Sequence, residues 1–206
     1  MTTNAPKVTA HMVSSVDGFI AKPDGSVLWL ETSDTYDKGV AGENAEEFLK
    51  TIDCYVMGAR TYEHALELSL EFGWPYGDVP TFVLTSRNLP ADRESIEFYS
   101  GDLKKFINDR LQPNYKNIWL VGGAALVKDF IRLGLVDDIR QTIVPIILGG
   151  GTLFYDHIGQ EQALHLKDVT AYMNGMVELW YEVRKGVVGQ WGESQAADQR
   201  RPTQIN

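Results

Sequence analysis

Three stretches of this chain carry residues that suit the binding of an anion such as phosphate. The first is Ile118-Trp119-Leu120-Val121-Gly122-Gly123-Ala124-Ala125-Leu126, an apolar run that ends in two glycines and passes straight into a helical pattern. Glycines let the backbone take unusual dihedrals and let a ligand approach without a Cβ in the way. The helix that follows points its free N–H groups and the positive end of its dipole at the same spot. The second is Gly58-Ala59-Arg60-Thr61, where the apolar run Cys54-Tyr55-Val56-Met57 again ends at a glycine before a helix. Arg60 adds a cation there, and Thr61 is the expected helix cap. The third is Thr85-Ser86-Arg87, two hydroxyls and a guanidinium after the run Thr81-Phe82-Val83-Leu84. That set suits a phosphate monoester, such as the 2′-phosphate that separates NADP from NAD. Taken singly, each stretch also reads as an ordinary strand-to-helix turn or surface turn.

The elements that must position these groups alternate between two periods. Lys7 to Val13, Cys54 to Met57, Thr81 to Leu84, Ser95 to Tyr99 and Ile118 to Val121 read as strands. Apolar residues at helical spacing mark helices at Gly42 to Thr51, after Gly58, from Leu103 to Leu111 and from Leu126 to Leu133, with Gly134 as a C-terminal cap. Ser100 or Asp102 opens the third of these. Asp137 to Leu148 is long and β-branched, and Pro145 within it suggests a bulge or an edge position. Asn174-Gly175 between Ala163 to Tyr172 and Met176 to Val183 signals a closing hairpin. Val177, Leu179, Tyr181 and Val183 alternate, as in a half-buried antiparallel strand. The early segment holding Asp17-Gly18, Pro23-Asp24-Gly25 and Trp29 reads as a glycine-bearing loop, either a lid over a site or a surface excursion anchored by Trp29. Strands alternating with helices imply a three-layer α/β/α sandwich with a mostly parallel central sheet and a C-terminal antiparallel hairpin. Ligands of such sheets bind at the carboxyl ends of the strands, where all three stretches fall.

Composition narrows the function. The formal net charge of −9 argues against a broad nucleic-acid or anionic-membrane surface, although one basic pocket remains compatible with it. The single cysteine, Cys54, lies in an apolar run and reads as a buried, inert thiol. His11, His64, His157 and His165 show no paired metal-ligand spacing, so no metal site is expected. No apolar segment is long enough to span a bilayer, and Met1 to Pro6 lacks a signal-peptide core; a cytoplasmic protein is expected. One domain over residues 1–185 and a polar tail over 186–206 are expected.

Four motifs in order resemble the dihydrofolate reductase superfamily: Ser15-Val16-Asp17-Gly18-Phe19-Ile20-Ala21, Val56-Met57-Gly58-Ala59-Arg60-Thr61-Tyr62, Leu84-Thr85-Ser86-Arg87 and Trp119-Leu120-Val121-Gly122-Gly123-Ala124. Val144-Pro145-Ile146-Ile147-Leu148-Gly149-Gly150-Gly151 followed by Leu153-Phe154 is similar to one branch in particular. That branch is the reductase domain of the bifunctional riboflavin-biosynthesis deaminase–reductase and its single-domain relatives. The resemblance covers roughly Lys7 to Arg184 and implies NADPH as hydride donor. It implies that Gly58, Arg60 and Thr61 hold the pyrophosphate, and that Thr85, Ser86 and Arg87 face the adenosine 2′-phosphate. It further implies that Gly122, Gly123, Ala124, Ala125 and Leu126 wrap the cofactor's centre, with a Gly-Gly peptide that is often cis, and that Val13 and Ile20 line the nicotinamide pocket. For the catalytic carboxylate, counting from Trp29 reaches Asp34, the preferred candidate because the tryptophan is the nearer landmark, and counting back from Gly58 reaches Glu43, held in reserve. The implied chemistry is reduction of a C=N or C=O group in a ribosylaminopyrimidine-like or pteridine-like small molecule, with a homodimer built on the strand around Ile143 to Leu148 and the hairpin. A zinc deaminase part would need a His or Cys, a Glu and a paired Cys motif, which a lone Cys54 cannot supply. The alternative is a binding module on the same fold that has lost turnover.

Overall fold

The computed structural model describes residues 6–41 and 48–186. Among the described residues ten strands are β1 (Lys7–Ser15), β2 (Phe19–Ala21), β3 (Cys54–Gly58), β4 (Thr81–Leu84), β5 (Ile96–Tyr99), β6 (Asn117–Gly122), β7 (Asp138–Val144), β8 (Thr152–Leu153), β9 (Leu164–Ala171) and β10 (Val177–Val183). The helices are α1 (Ala59–Phe72), α2 (Leu103–Phe106), which runs into a π-turn at Ile107–Leu111, and α3 (Ala124–Arg132). Residues 48–51 are also helical, the described part of the helix expected over Gly42 to Thr51.

Eight strands form one sheet in the order β5-β4-β3-β6-β1-β7-β10-β9. From β5 to β7 every neighbouring pair is parallel, and β10 closes antiparallel on both β7 and β9. A separate two-stranded antiparallel pair joins β2 to β8. Each sheet face has its own core. On one face Phe106, Ile107 and Leu111 join Val127, Phe130 and Ile131 of α3 over Val8, Ala10 and Val56. On the other, Tyr62 of α1 packs with Tyr55, Met57 and Val83. This is the expected three-layer α/β/α sandwich, with its C-terminal hairpin.

Several local expectations are corrected. Gly58, extended at φ −87° and ψ 168°, is the N-cap of α1, not Thr61. The chain leaves the sheet at that glycine, so the helix starts at Ala59 and Thr61 is already inside its first turn. Asp102 caps α2, its carboxylate accepting the Lys105 N–H at 2.8 Å. Pro145 neither bulges β7 nor marks an edge. The strand lies between β1 and β10 and stops at Val144, because proline has no N–H to continue the ladder. The alternation expected of β10 holds only in part, since Glu178 is buried to 3 % exposure alongside Val183. The Arg140 guanidinium and the His11 ring cover the sheet face at Glu178, while Glu182, further along the same face, is exposed. The early segment folds as a 3₁₀ turn at Leu28–Leu30 that buries Trp29 and leaves Leu28 exposed, which makes Trp29 the anchor. Cys54 is fully buried, and burial pushes its thiol pKa far up, so it is inert as expected. Among the described residues no helix is long and apolar enough to cross a membrane.

Candidate functional site

The parallel strands end on one rim. Along it, in the order of the sheet, lie Thr85-Ser86-Arg87 after β4, Gly58 at the end of β3, Gly122-Gly123 at the end of β6, and Val13 near the end of β1. The register fixes the neighbours: Gly58 pairs with Leu84, Met57 pairs with Gly122, and Val13 pairs with Thr142 of β7. The three anion-suited stretches are therefore adjacent in space as well as similar in sequence.

Two helices begin on this rim without side-chain caps. α1 is capped by Gly58 and α3 by Gly123, and neither position supplies a side-chain acceptor. In α3 the Leu126 N–H already donates to Gly123 O at 3.0 Å; the N–H groups before it in that turn, and those of the first turn of α1, face an outside acceptor, and both dipoles favour an anion there. The two starts touch. A Cβ on Gly123 would lie 3.3 Å from the Thr61 hydroxyl, and one on Gly58 would lie 3.8 Å from the Gly122 carbonyl oxygen. The Gly122–Gly123 peptide is cis, and Gly122 has φ +124°, a conformation that side chains other than glycine's rarely adopt. Arg60 is exposed in the first turn of α1, and Thr61 is half-buried beside Gly123. In α3, Ala124 is buried, Ala125 is exposed, and Leu126 is half-buried against the α3-side core.

The third stretch lies one strand further out. The Thr85 hydroxyl accepts the Arg87 N–H at 3.0 Å, which turns the chain sharply after β4. Ser86 is exposed. Beside it, Leu84, Thr85, Ser86, Tyr99, Ser100, Gly101 and Leu103 line an open groove of about 200 Å³ between the ends of β4 and β5. Arg87 is not idle. Its guanidinium grips both carboxylate oxygens of Glu63, one at 2.9 Å, in a forked pair with α1. That hydrogen bond draws the Glu63 pKa below the usual carboxylate range, with charge from Arg87 and Arg60 acting the same way. Sequence reasoning missed Glu63. Its place three residues after Arg60, on one helix face, is the signal that could have found it.

At the other end of the rim, Val13 is half-buried, and Ile20 of β2 is half-buried against the α3-side core. Below Val13 lies a buried polar network that sequence reasoning also missed. Glu178 accepts from Arg140 Nε at 3.0 Å and from its Nη2, while the Thr142 hydroxyl and the His11 ring lie 3.4 Å from its other oxygen. His11 stacks on Trp119 with ring centres 5.1 Å apart and meets the edge of Phe48. Burial, reinforced by Arg140, pushes the His11 pKa down to about 3, so the ring is neutral at pH 7. Asp17 ties the rim together. It accepts from the Ser15 hydroxyl at 2.6 Å and from the N–H groups of Leu148 and Gly149 at 3.1 and 2.7 Å. These bonds hold its pKa below the usual range, the Ser15 bond foremost.

Of the two candidate acids, Asp34 does not join this group. Asp34 is exposed beside the β9–β10 turn, where a Cβ on Gly175 would meet its carboxylate at 2.5 Å. The loop is held there by the Tyr36 N–H donating to Met173 O and the Val40 N–H donating to Ala171 O. β7 and β10 stand between Val13 and Asp34, so strand spacing sets the two on the order of 10–15 Å apart. Glu43 lies outside the described residues. Among the described residues no cluster of His, Cys, Asp and Glu could hold a metal ion.

Comparison with known proteins matches residues 6–178 to the RibD C-terminal domain. The uncharacterized protein YwjB of Bacillus subtilis (strain 168) is 32 % identical over 175 residues, covering 85 % of this chain and 97 % of its own. Among solved structures, a protein of Shewanella sp. PV-4 assigned to riboflavin biosynthesis superposes with a TM-score of 0.74 at 21 % identity, covering 87 % of this chain and 99 % of its own. The diaminohydroxyphosphoribosylaminopyrimidine deaminase/5-amino-6-(5-phosphoribosylamino)uracil reductase of Thermotoga maritima gives 0.64 at 15 % identity, with 89 % of this chain matching 58 % of that longer one. Dihydrofolate reductase from Enterococcus faecalis, in complex with NADP(H), gives 0.53 at 19 % identity over 86 % of this chain and 96 % of its own. These neighbours share the fold, dihydrofolate reductase-like, with a mostly parallel sheet.

Proposed function

This chain belongs to the RibD C-terminal domain family, and on that premise we propose that it is an NADPH-dependent reductase of a ribosylaminopyrimidine-like or pteridine-like small molecule. The observation that carries the reading is the pair of touching, uncapped helix N-termini at Gly58 and Gly123. A dinucleotide's pyrophosphate is the ligand such a pair suits, because it presents acceptors to two sets of free N–H groups at once. Arg60 and Thr61 add a cation and a hydroxyl on the α1 side, and Ala124, Ala125 and Leu126 form the α3 side. The Gly122-Gly123 backbone, with no Cβ in the way, lets the middle of the cofactor lie close. Thr85, Ser86 and Arg87 take the adenosine 2′-phosphate, next to the groove below Tyr99. Val13 and Ile20 flank the nicotinamide end. The cofactor, when bound, supplies a hydride to carbon of a C=N or C=O group.

The chain's own residues orient that reaction. Val13 lies over a network in which His11 is neutral and the Arg140 cation is matched by the Glu178 carboxylate, so the surface it offers carries no unmatched charge. Asp34, two strands away, stands where the far end of a substrate reaches rather than where hydride arrives. In this reading it positions the substrate. Glu43 remains the second carboxylate proposed for proton delivery. The same family premise supports a homodimer built on the strand from Ile143 onward and the β9–β10 hairpin.

The test is direct. NADPH titrated into the protein gives saturable fluorescence enhancement and a thermal upshift. Deuteride from 4-deuterated NADPH then moves to a member of a panel of ribosylated aminopyrimidines and pterins. Binding without transfer across the panel would leave a binding module, and no saturable response at millimolar NADPH would refute the proposal. Light scattering at micromolar concentration gives the mass of a dimer, and a monomer's mass refutes the assembly.

A further inference from the structure

We propose that Glu63 sets the protein's selectivity between NADPH and NADH by competing with the 2′-phosphate for Arg87, an inference that rests on the cofactor reading above. The geometry carries it. Arg87 is the only cation within Thr85-Ser86-Arg87, and both arms of its guanidinium face are already spent on Glu63. A carboxylate and a phosphate both offer oxygens to a guanidinium fork, so they are alternative occupants of one face. Glu63 is placed to do this by the fold. It sits on the first turns of α1, one turn from Arg60, on the side facing the residues after β4. Its charge is held by the two arginines that flank it, so it is ionised throughout the physiological range.

Two consequences follow for the two cofactors. A 2′-phosphate arriving at Ser86 and Arg87 must pull the guanidinium from Glu63 and then lie beside that carboxylate, like charge against like charge. NADH carries a 2′-hydroxyl at the same place, and a carboxylate there accepts its hydrogen bond, the arrangement that marks NAD sites in other nucleotide folds. Glu63 therefore penalises NADPH and leaves NADH unaffected or better held. The wild-type protein's preference for NADPH is weak, although an arginine is present. The pair is well exposed, with 54 % of the Arg87 side chain and 36 % of the Glu63 side chain accessible, so solvent screens the effect and its removal does not endanger the fold. One unit charge beside a phosphate dianion in such a setting changes affinity by about tenfold.

Calorimetric titration of NADPH and NADH into wild type, Glu63→Gln and Arg87→Ala tests the assignment, with 2′,5′-ADP and 5′-AMP isolating the adenosine end. Glu63→Gln tightens NADPH and 2′,5′-ADP by about tenfold and does not tighten NADH or 5′-AMP. Arg87→Ala weakens NADPH and 2′,5′-ADP and spares the other two. Equal shifts for both cofactors in Glu63→Gln, or no shift, overturn the role of Glu63 while leaving the NADPH reading intact. If the wild type binds none of the four, the cofactor reading falls and the inference falls with it.

Discussion

Replacing the two rim glycines one at a time should separate the backbone's conformational demand from the cofactor's demand for space. Gly122 is buried at φ +124°, and a Cβ there would lie 3.0 Å from the Met12 sulfur. Holding an alanine in that region costs about 1–3 kcal/mol. The Met12 contact adds on the order of 1 kcal/mol, since a thioether at the end of a flexible chain can move aside. Gly122→Ala is therefore expected to lose about 2–4 kcal/mol. In a protein of this length each kcal/mol lowers the melting temperature by about 2–4 °C, so the variant should melt roughly 5–15 °C lower. Gly123 has an ordinary φ of −78°. A Cβ there meets only the Thr61 hydroxyl at 3.3 Å, so Gly123→Ala should cost under about 1 kcal/mol in stability. Yet that methyl stands between the N-termini of α1 and α3, where the pyrophosphate would lie, and NADPH affinity should fall by at least about tenfold. Thermal unfolding and NADPH titration, run on both variants, read the two effects. A Gly122→Ala protein as stable as wild type would refute the backbone argument. A stable Gly123→Ala protein that binds NADPH like wild type would refute the placement of the cofactor.

Two further perturbations address the surroundings of the rim. His11 is neutral when folded, with its pKa pushed down to about 3. Unfolded, it titrates near 6.5, so the unfolded chain takes up the proton first as pH falls. Stability is fully present above pH 6.5 and is lost between about pH 6.5 and 3; at pH 4.5 the His11 contribution to that loss is about 2–3 kcal/mol. His11→Phe keeps the ring against Trp119 and Phe48 and should flatten the urea-midpoint profile over this window relative to wild type; an unchanged slope would show that His11 is not the group responsible. Asp17→Ala removes the acceptor for two amides, so hydrogen exchange at Leu148 and Gly149 should accelerate while the β6 amides keep their protection. Unaltered exchange at Leu148 and Gly149 would mean another contact holds the loop.

The order of strands and helices was legible because each element has one dominant period, and because glycine or proline closes most of them. The rim could be read for the same reason, since Gly58, Gly122 and Gly123 are local signals of a strand giving way to a helix. What the residues did not announce depends on contacts across long separations. Glu178 looked like an outward position in an alternating strand. Its burial follows from Arg140, 38 positions away, and from the cover on the Trp180 side of the sheet. Nothing local singles out Glu63, because its partner Arg87 lies 24 positions on and in a different element. Thr61 satisfied the rule for a cap, but the chain left the sheet three residues earlier, at Gly58. Asp34 was reached by counting from Trp29, and counting along a loop does not fix where the loop lands. It lands on the hairpin, because Tyr36 and Val40 bond to Met173 and Ala171.

A crystal structure of the protein soaked with NADPH shows where each part of the cofactor lies. The pyrophosphate should lie between the first turns of α1 and α3, within hydrogen-bond reach of their N–H groups. The 2′-phosphate should lie at Ser86 and Arg87, and the nicotinamide ring near Val13. A pyrophosphate bound away from Gly58 and Gly123 would contradict it, as would a rim left empty at saturating NADPH.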